Sequence, residues 1–350
     1  MDYARLAQDG ESAVLEALAG AAAGIAVSTS GSTGGPREVL IGTDAIRASA
    51  TATHVALGGE GRWLLAVPTE RIAGAMVIAR SHLAGTSPVR MPHESFSGEA
   101  FARAAAQLGD AGRKYTALVP TQLSRVLASP SGRDALATFD AVLVGGAPVT
   151  RGAHSANVVN AYGATETTSG CIYDGLPIGG ARARVVEGLI HLAGPMLADG
   201  YADGDNSAFV TEAGERWFAT NDLGGFDESG RLEVYGRADD IILSGGINVN
   251  PAQAEAALGR LDWVDEAVVV GVPDAEWGQL VVAVITAREG HKAPRWEATR
   301  ELLALSLERS AVPRAAVFVD SMPRLMSSKI DRSEARRVAE VALAETKGLA

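Results

Sequence analysis

Two rhythms of apolar and polar positions alternate along the first half of the chain. The unbroken apolar runs Gly24-Ile-Ala-Val27, Trp63-Leu-Leu-Ala-Val67, Tyr115-Thr-Ala-Leu-Val119 and Ala141-Val-Leu-Val144 read as buried strands, and the segments Ile72 to Ala84 and Pro120 to Ala128 carry helical spacing. Pro120 suits a first helical turn, where its missing N–H has no partner to lose. This alternation predicts an α/β layer with a largely parallel sheet. From Arg184 to Arg237 the pattern shortens. The runs Gly188–Leu192, Trp217–Thr220 and Arg231–Tyr235, broken by glycines and the Asp227-Glu-Ser-Gly230 turn, predict a β-rich subregion. A second α/β unit follows, with a helix over Pro251 to Leu258 behind the N-cap candidate Asn250 and another over Glu297 to Leu307. Its strands are expected over Ala267 to Val272, Leu280 to Thr286 and Ala315 to Val319. The fold class expected is therefore α/β, a large N-terminal domain of parallel-rich sheets with helices and a β-rich subregion over 1–238, and a small C-terminal α/β domain over 239–350, divided at Arg237 to Asp240.

The length of 350 residues allows such a pair of domains, and 47% hydrophobic with 21% charged residues is ordinary for a globular protein. A formal charge of −11 disfavours nucleic acid and anionic membrane surfaces, both of which reward cations. A small-molecule substrate is the better expectation. Cys171 is the sole cysteine, which rules out an internal disulfide and a cysteine-based metal cluster. No apolar run reaches the roughly 18 residues needed to span a bilayer, and Asp2 and Asp9 stand where a signal peptide wants cations. No membrane insertion and a cytoplasmic location are expected. The histidines His54, His82, His93, His154, His191 and His291 show no ligand spacing, and there is no Gly-x-Ser-x-Gly elbow.

Candidate chemistry begins at Ser28-Thr-Ser-Gly-Ser-Thr-Gly-Gly-Pro-Arg37. Hydroxyls and glycines at a strand end can turn several donors toward one anion, a phosphate cradle, and the same make-up also serves surface loops and linkers. On this segment alone both readings stay open. It is not a Walker A loop, since Gly31 leads to Pro36-Arg37-Glu38 rather than to Gly-Lys-Ser/Thr.

Four further segments follow in order: Asn160-Ala-Tyr-Gly-Ala-Thr-Glu-Thr167, Ala219-Thr-Asn-Asp-Leu-Gly224, Tyr235-Gly-Arg-Ala-Asp-Asp-Ile-Ile-Leu-Ser-Gly-Gly246 and Pro323-Arg-Leu-Met-Ser-Ser-Lys-Ile-Asp-Arg332. With the cradle they resemble the acyl-adenylate-forming superfamily of acyl-CoA synthetases, peptide-synthetase adenylation domains and firefly luciferase, from about Val27 to Arg332. The resemblance implies ATP, Mg²⁺ and CoA as partners and a small C-terminal domain that is mobile. It implies that Thr29, Ser30, Gly31, Ser32, Thr33 and Gly34 hold the β- and γ-phosphates, with Arg37 where the family usually has lysine. Gly145, Gly146, Ala147, Asn160, Ala161, Tyr162 and Gly163 would line the nucleotide, Thr165 would meet phosphate and Glu166 would bind Mg²⁺. Asp222 would contact the ribose, although Asn221 replaces the usual glycine before it, and Arg237 would make a second ribose or phosphate contact. Lys329 matches the lysine bridging the reacting carboxylate and α-phosphate, with Ser327-Ser328 replacing the commoner Ser/Asn-Gly. Asp239 matches the hinge, and Ser244, Gly245 and Gly246 the segment brought to the CoA thiol.

The cradle starts near residue 28, whereas most relatives carry a long segment before it, and this compact form looks like the short o-succinylbenzoate:CoA ligases of menaquinone biosynthesis. Pro68-Thr-Glu-Arg-Ile-Ala-Gly74, Val119-Pro-Thr-Gln-Leu123, Gly145-Gly-Ala147 and Gly170-Cys-Ile-Tyr-Asp-Gly175 resemble that group. They imply an acid site of Arg71, Ile72, Gly74, Thr121, Gln122 and Gly170. Arg71 replaces an expected histidine. Its planar fork suits a substrate carboxylate, and a plain helix-start arginine is the equal alternative. Another acyl- or aryl-CoA synthetase, and a nucleotide-binding homologue without turnover, remain open, as does a homodimer.

Overall fold

The computed structural model describes residues 2–29, 37–92, 95–146, 157–325 and 330–348. The chain forms two compact units, one of Met1–Thr220 with Gly225–Glu233, the other of Asn221–Gly224 with Val234–Ala350. The divide runs through the paired strands Glu215–Phe226 and Leu232–Arg237. Arg237 and Asp239 both fall in the second unit.

In the first unit a seven-stranded sheet has the order Leu176–Pro177, Ser169–Tyr173, Val158–Ala164, Ala141–Val144, Arg113–Leu118, Gly61–Leu65, Val89–Arg90. The strands from Val158–Ala164 to Val89–Arg90 run parallel. The other two are added antiparallel. Trp63, Leu65, Tyr115 and Leu143 face a core with Met76, Val77 and Ile78 of the helix Ile72–Leu83. Their neighbours Leu64, Leu118, Val142 and Val144 face the opposite core, with Phe101, Leu123 and Val126 from the helices Gly98–Ala106 and Pro120–Ala128. Burial on both faces is why these strands are unbroken apolar runs.

A four-stranded sheet carries Tyr3–Arg5, Gly24–Ser28, Glu38–Gly42 and Gly200–Tyr201. The β-rich subregion is an antiparallel array of Arg182–Val186, Leu189–Ala193, Glu215–Phe226 and Phe209–Glu212, with Leu232–Arg237 beside Glu215–Phe226.

The second unit is built on Val264–Asp274 and Gly278–Ala287, with Ala315–Phe318 parallel to the latter and the hairpin Ile242–Ser244/Ile247–Val249 at the other side. Val269, Val281, Ala283 and Ile285 pack on the helix Pro251–Leu258 and on Leu303, while Val268, Val270, Val282 and Val284 pack on Ala335 and Ala339 of the helix Arg332–Gly348. Asn250 caps the first of these helices by accepting from the Ala252 N–H at 3.1 Å. The helix expected over Glu297 to Leu307 is shorter, Trp296–Leu303. Beyond it Leu305 is 83% exposed, so the apolar spacing no longer finds a core.

Candidate active site

The carboxyl ends of parallel strands are where open α/β sheets present ligand-binding groups. Four neighbouring strands here end on predicted site residues. Gly61–Leu65 leads to Pro68–Gly74, Arg113–Leu118 to Pro120–Gln122, Ala141–Val144 to Gly145 and Gly146, and Val158–Ala164 to Thr165 and Glu166. In-register pairs Leu118↔Val144 and Val144↔Asn160 bring Leu118, Val144 and Asn160 level, and the strand Val158–Ala164 runs four residues further before Thr165 and Glu166.

Several of these residues shape the edge. Gly74 has no room for a side chain, because a Cβ there would lie 2.1 Å from the Pro68 carbonyl oxygen. Gln122 donates through Nε2 to Ala66 O at 2.7 Å and accepts the Val119 N–H at 3.0 Å, clamping the first turn of its helix to the neighbouring strand end. Thr121 is partly buried beside it. Gly146 has φ of 91°, which glycine alone adopts without strain. A Cβ on Gly163 would meet Ser169 O at 2.3 Å, and one on Gly170 would meet the Ala161 Cβ at 3.0 Å, so the strand pair behind Glu166 needs both glycines. Asn160 pairs with Asp174 through their backbones, and its N–H donates to the Asp174 carboxylate at 3.0 Å. The Asn160 Oδ1, buried in that strand, has no hydrogen-bond partner among the described residues. Tyr162 and Ala161 lie on the same strand, half-buried.

Glu166 sits on the tight turn Thr165–Thr167, followed by Thr168 and Ser169 at φ of 50° and 84°. Thr167 braces the turn, its hydroxyl accepting from the Ala164 N–H at 2.8 Å. The Thr168 hydroxyl donates to Met196 O at 2.7 Å. Tyr201 donates its phenol proton to Glu166 Oε1 at 2.8 Å. Burial and the Glu166 charge hold that phenol well above its ordinary pKa. Arg37 lies over the Tyr201 ring, its Cζ 3.6 Å from the centroid. Its Nε and Nη2 both donate to Asp203 at 2.9 Å, and the hydrogen bond to Asp203 keeps the guanidinium firmly charged. The sequence reading put Arg37 at the phosphates. In this structure two of its nitrogens are engaged by Asp203, and Nη1 has no partner among the described residues.

The base of the cradle is described, its interior is not. Thr29 donates its N–H and hydroxyl to Arg37 O at 2.8 and 3.1 Å, closing the antiparallel pair of Gly24–Ser28 and Glu38–Gly42. Arg71, at the N-terminus of the helix Ile72–Leu83, donates to Ser28 O at 3.3 Å. The acid-side candidate Arg71 thus meets the cradle base, and Tyr201 joins Arg37 to Glu166. Ser30, Gly31, Ser32, Thr33, Gly34, Ala147 and Lys329, with Ser327 and Ser328, lie outside the described residues.

In the second unit Arg237 bridges Asp222 (3.3 Å) and Asp239 (2.9 Å). Burial pulls its guanidinium pKa down, but the Asp239 hydrogen bond and the charges of Asp222, Asp239 and Asp240 outweigh it. Gly245 and Gly246 form the turn of the hairpin Ile242–Ser244/Ile247–Val249 with φ of 59° and 79°. Gly245 also donates to Trp277 O at 2.8 Å, with the indole against its Cα. Ser244, the residue before that turn, is buried and pairs with Gly278. Lys329 is followed by Ile330, which forms a bridge with Arg324. Arg332 then ties to Asp240 at 3.1 Å and Glu255 at 2.8 Å.

Tyr201, Asp203 and the Thr167–Thr168 brace were not found by sequence reasoning. Two surface cavities, of about 420 Å³ beside His54 and about 530 Å³ beside Tyr3, contain none of the predicted site residues.

For magnesium the donor set fits a shared site. Among the described residues no group of three His, Cys, Asp or Glu side chains could form a protein cage, and Glu166 Oε2 has no hydrogen bond there. One free carboxylate oxygen suits an ion that keeps its waters and substrate phosphates. Among the described residues no helix is long and apolar enough to cross a membrane.

Known proteins resemble this chain over most of its length. Residues 25–202 match the family described as AMP-binding enzyme, and residues 253–329 match the AMP-binding enzyme C-terminal domain. A probable 2-succinylbenzoate–CoA ligase of Mycobacterium tuberculosis is 42% identical over 319 residues, covering 88% of this chain and 82% of the relative. The solved o-succinylbenzoate CoA synthetase of Bacillus subtilis, in complex with its acyl-adenylate intermediate, superposes with a TM-score of 0.75 at 26% identity, over 89% of this chain and 68% of that one. The same Bacillus enzyme with ATP and a magnesium ion gives a TM-score of 0.73 at 25% identity, over 89% of this chain and 69% of that one. The chain belongs to the AMP-binding enzyme family, the acyl-adenylate-forming proteins.

Proposed function

We propose that the protein is an ATP-dependent acid:CoA ligase, most specifically an o-succinylbenzoate:CoA ligase serving menaquinone biosynthesis in the cytoplasm. The observation that carries this reading is the edge on which acid-side and nucleotide-side residues end four adjacent parallel strands. The 42% identity to a probable 2-succinylbenzoate–CoA ligase supports the choice of acid.

In the proposed reaction the acid carboxylate attacks the α-phosphorus of ATP, pyrophosphate leaves, and an acyl-adenylate forms. The CoA thiolate then attacks the acyl carbonyl and AMP leaves, carrying away the oxygen that the free acid could not expel. Positioning and charge neutralisation supply most of the acceleration in such displacements. Ser30, Gly31, Ser32, Thr33 and Gly34 would offer N–H and hydroxyl donors to the β- and γ-phosphates, with Thr29, whose own N–H and hydroxyl go to Arg37 O, at the base of the loop; Arg37 Nη1 would add a further donor. Thr165 would meet phosphate, and Glu166 Oε2 would hold magnesium, which would supply neutralisation of the phosphate charge. Gly145, Gly146, Ala147 and the strand Asn160 to Gly163 take the adenine, with Tyr162 against the base. Asp222 and Arg237 take the ribose. Lys329 brings its ammonium to the carboxylate and α-phosphate where negative charge concentrates.

Arg71 pairs with the second carboxylate of the dicarboxylic acid, beside Ile72, Gly74, Thr121, Gln122 and Gly170. After adenylation a small domain, taken as 239–350, turns about Asp239, withdrawing Lys329 and bringing Ser244, Gly245 and Gly246 to the pantetheine. Mass spectrometry of the product formed from ATP, CoA and o-succinylbenzoate tests the reading. o-Succinylbenzoyl-CoA with the wild type and its loss in Lys329→Ala support it, and no acid-dependent pyrophosphate exchange with any acid would overturn it.

A further inference from the structure

Glu166 is not a bare carboxylate waiting for a metal. Its Oε1 accepts from the Tyr201 hydroxyl at 2.8 Å, and that tyrosine is only 8% exposed. Tyr201 is fixed from every side the structure describes. Its N–H donates to Asn206 Oδ1 at 2.8 Å, its backbone pairs with Val39, its ring lies 5.7 Å from that of Phe209, and Arg37 covers the ring at 3.6 Å. Arg37 is in turn held flat by its double hydrogen bond to Asp203 and by Asp205 O at 2.6 Å.

We propose that Tyr201 is a positioning residue for Glu166, locked by the Arg37–Asp203 pair, so that one carboxylate oxygen is committed to the protein and the other is aimed at the magnesium–nucleotide. The proposal rests on the reading of Glu166 as the magnesium ligand. It also accounts for arginine where relatives usually have lysine. A planar guanidinium can fork onto a carboxylate and stack on an aromatic face at once, whereas an ammonium offers a point charge without a plane. Hydrogen-bond partners behind a metal ligand fix its orientation, and their loss typically weakens metal binding by about 10–100-fold.

The test is calorimetric titration of the full chain with ATP, once in EDTA and once in excess magnesium. Tyr201→Phe keeps the ring, its packing and the Arg37 stack, and removes only the donor. ATP affinity in EDTA is expected to stay at the wild-type value, and the gain in affinity conferred by magnesium is expected to shrink about tenfold. Asp203→Asn, which loosens the Arg37 fork, is expected to shrink that gain in the same direction by less. A Tyr201→Phe variant with the full wild-type magnesium gain overturns the proposal, and so does one that loses ATP affinity equally in EDTA and magnesium, the mark of simple disordering. Glu166→Gln separates the two layers. If it retains the magnesium gain, the ligand reading of Glu166 falls. If it abolishes the gain while Tyr201→Phe keeps it, only the positioning role falls.

Discussion

Asn221 donates through Nδ2 to Asp239 Oδ2 at 3.2 Å, joining the residue that replaces a glycine of the family pattern to the hinge candidate. The same Asp239 oxygen accepts from Arg237. Asn221→Gly removes one of the two donors and restores backbone freedom before Asp222. A single hydrogen bond is worth about 1 kcal/mol, or about fivefold. We expect acid-dependent pyrophosphate exchange to be unchanged and thioester formation to change by up to about fivefold, read in separate half-reaction assays. Equal change in both half-reactions would remove Asn221 from the hinge.

Gly74 stands with its Cα against the Pro68 carbonyl. Gly74→Ala forces the helix Ile72–Leu83 away from the Pro68–Thr69 backbone, an overpacking cost of about 1–3 kcal/mol. Calorimetry should show Tm lowered by about 3–8 °C, with a raised KM for the acid on the proposed placement of Arg71 and Ile72, which move with the helix start. An unchanged Tm would mean that the chain yields there without strain.

Arg332 holds Asp240, Glu255 and, at 3.2 Å, Val269 O, using each of its guanidinium nitrogens. Arg332→Ala leaves the largely covered Asp240 and Glu255 carboxylates without their shared cation. The group is partly exposed, so the expected loss is about 1–3 kcal/mol rather than the full cost of a buried pair. Urea unfolding of the variant should show it. Arg332→Lys, with a charge but no fork, should recover only part.

His54 is buried, and burial first, then the nearby Arg80 charge, lower its pKa. The folded state therefore favours neutral imidazole, and the unfolded chain takes up the proton first as pH falls. Stability should be full above the ordinary imidazole value of about 6.5 and decline as pH drops below it. His54→Gln should flatten that slope in Tm measured from pH 7.5 to 5. An identical slope would assign the acid sensitivity to other groups.

Cys171 is 1% exposed, and burial pushes its thiol up to about 12. Iodoacetamide should leave it unmodified in the folded protein and alkylate it after denaturation, as intact-mass measurement will report. Rapid native labelling would contradict the packing around the strand Ser169–Tyr173.

The parallel sheet was legible because its strands are buried on both faces. The strand Glu38–Gly42 and the helix Thr43–Ala56 were not read. The strand alternates buried and half-buried positions over five residues, and the helix buries mostly Ala45, Ser49, Ala50, Ala52 and Thr53, small side chains that leave a faint stripe. Motif order singled out Glu166, Asp222 and Arg237 as candidates because each lies inside a local segment. Tyr201 lies 35 residues from Glu166, and Asp203 lies 166 residues from Arg37. Contacts of that reach are made by folding, and no spacing rule announces them. The replacement of glycine by Asn221 was visible, yet its partner Asp239 emerged only from the pairing of the strands Glu215–Phe226 and Leu232–Arg237.

The sheet edge is also a ruler. From the strand Val158–Ala164 to Gly61–Leu65 there are three steps in the strand order, each about 4.8 Å, so the proposed adenine strand and the strand leading to Arg71 are offset by about 14 Å. On the proposed assignment, changing which acid is accepted then means re-lettering one end of that scale, at Arg71, while the nucleotide end keeps its calibration.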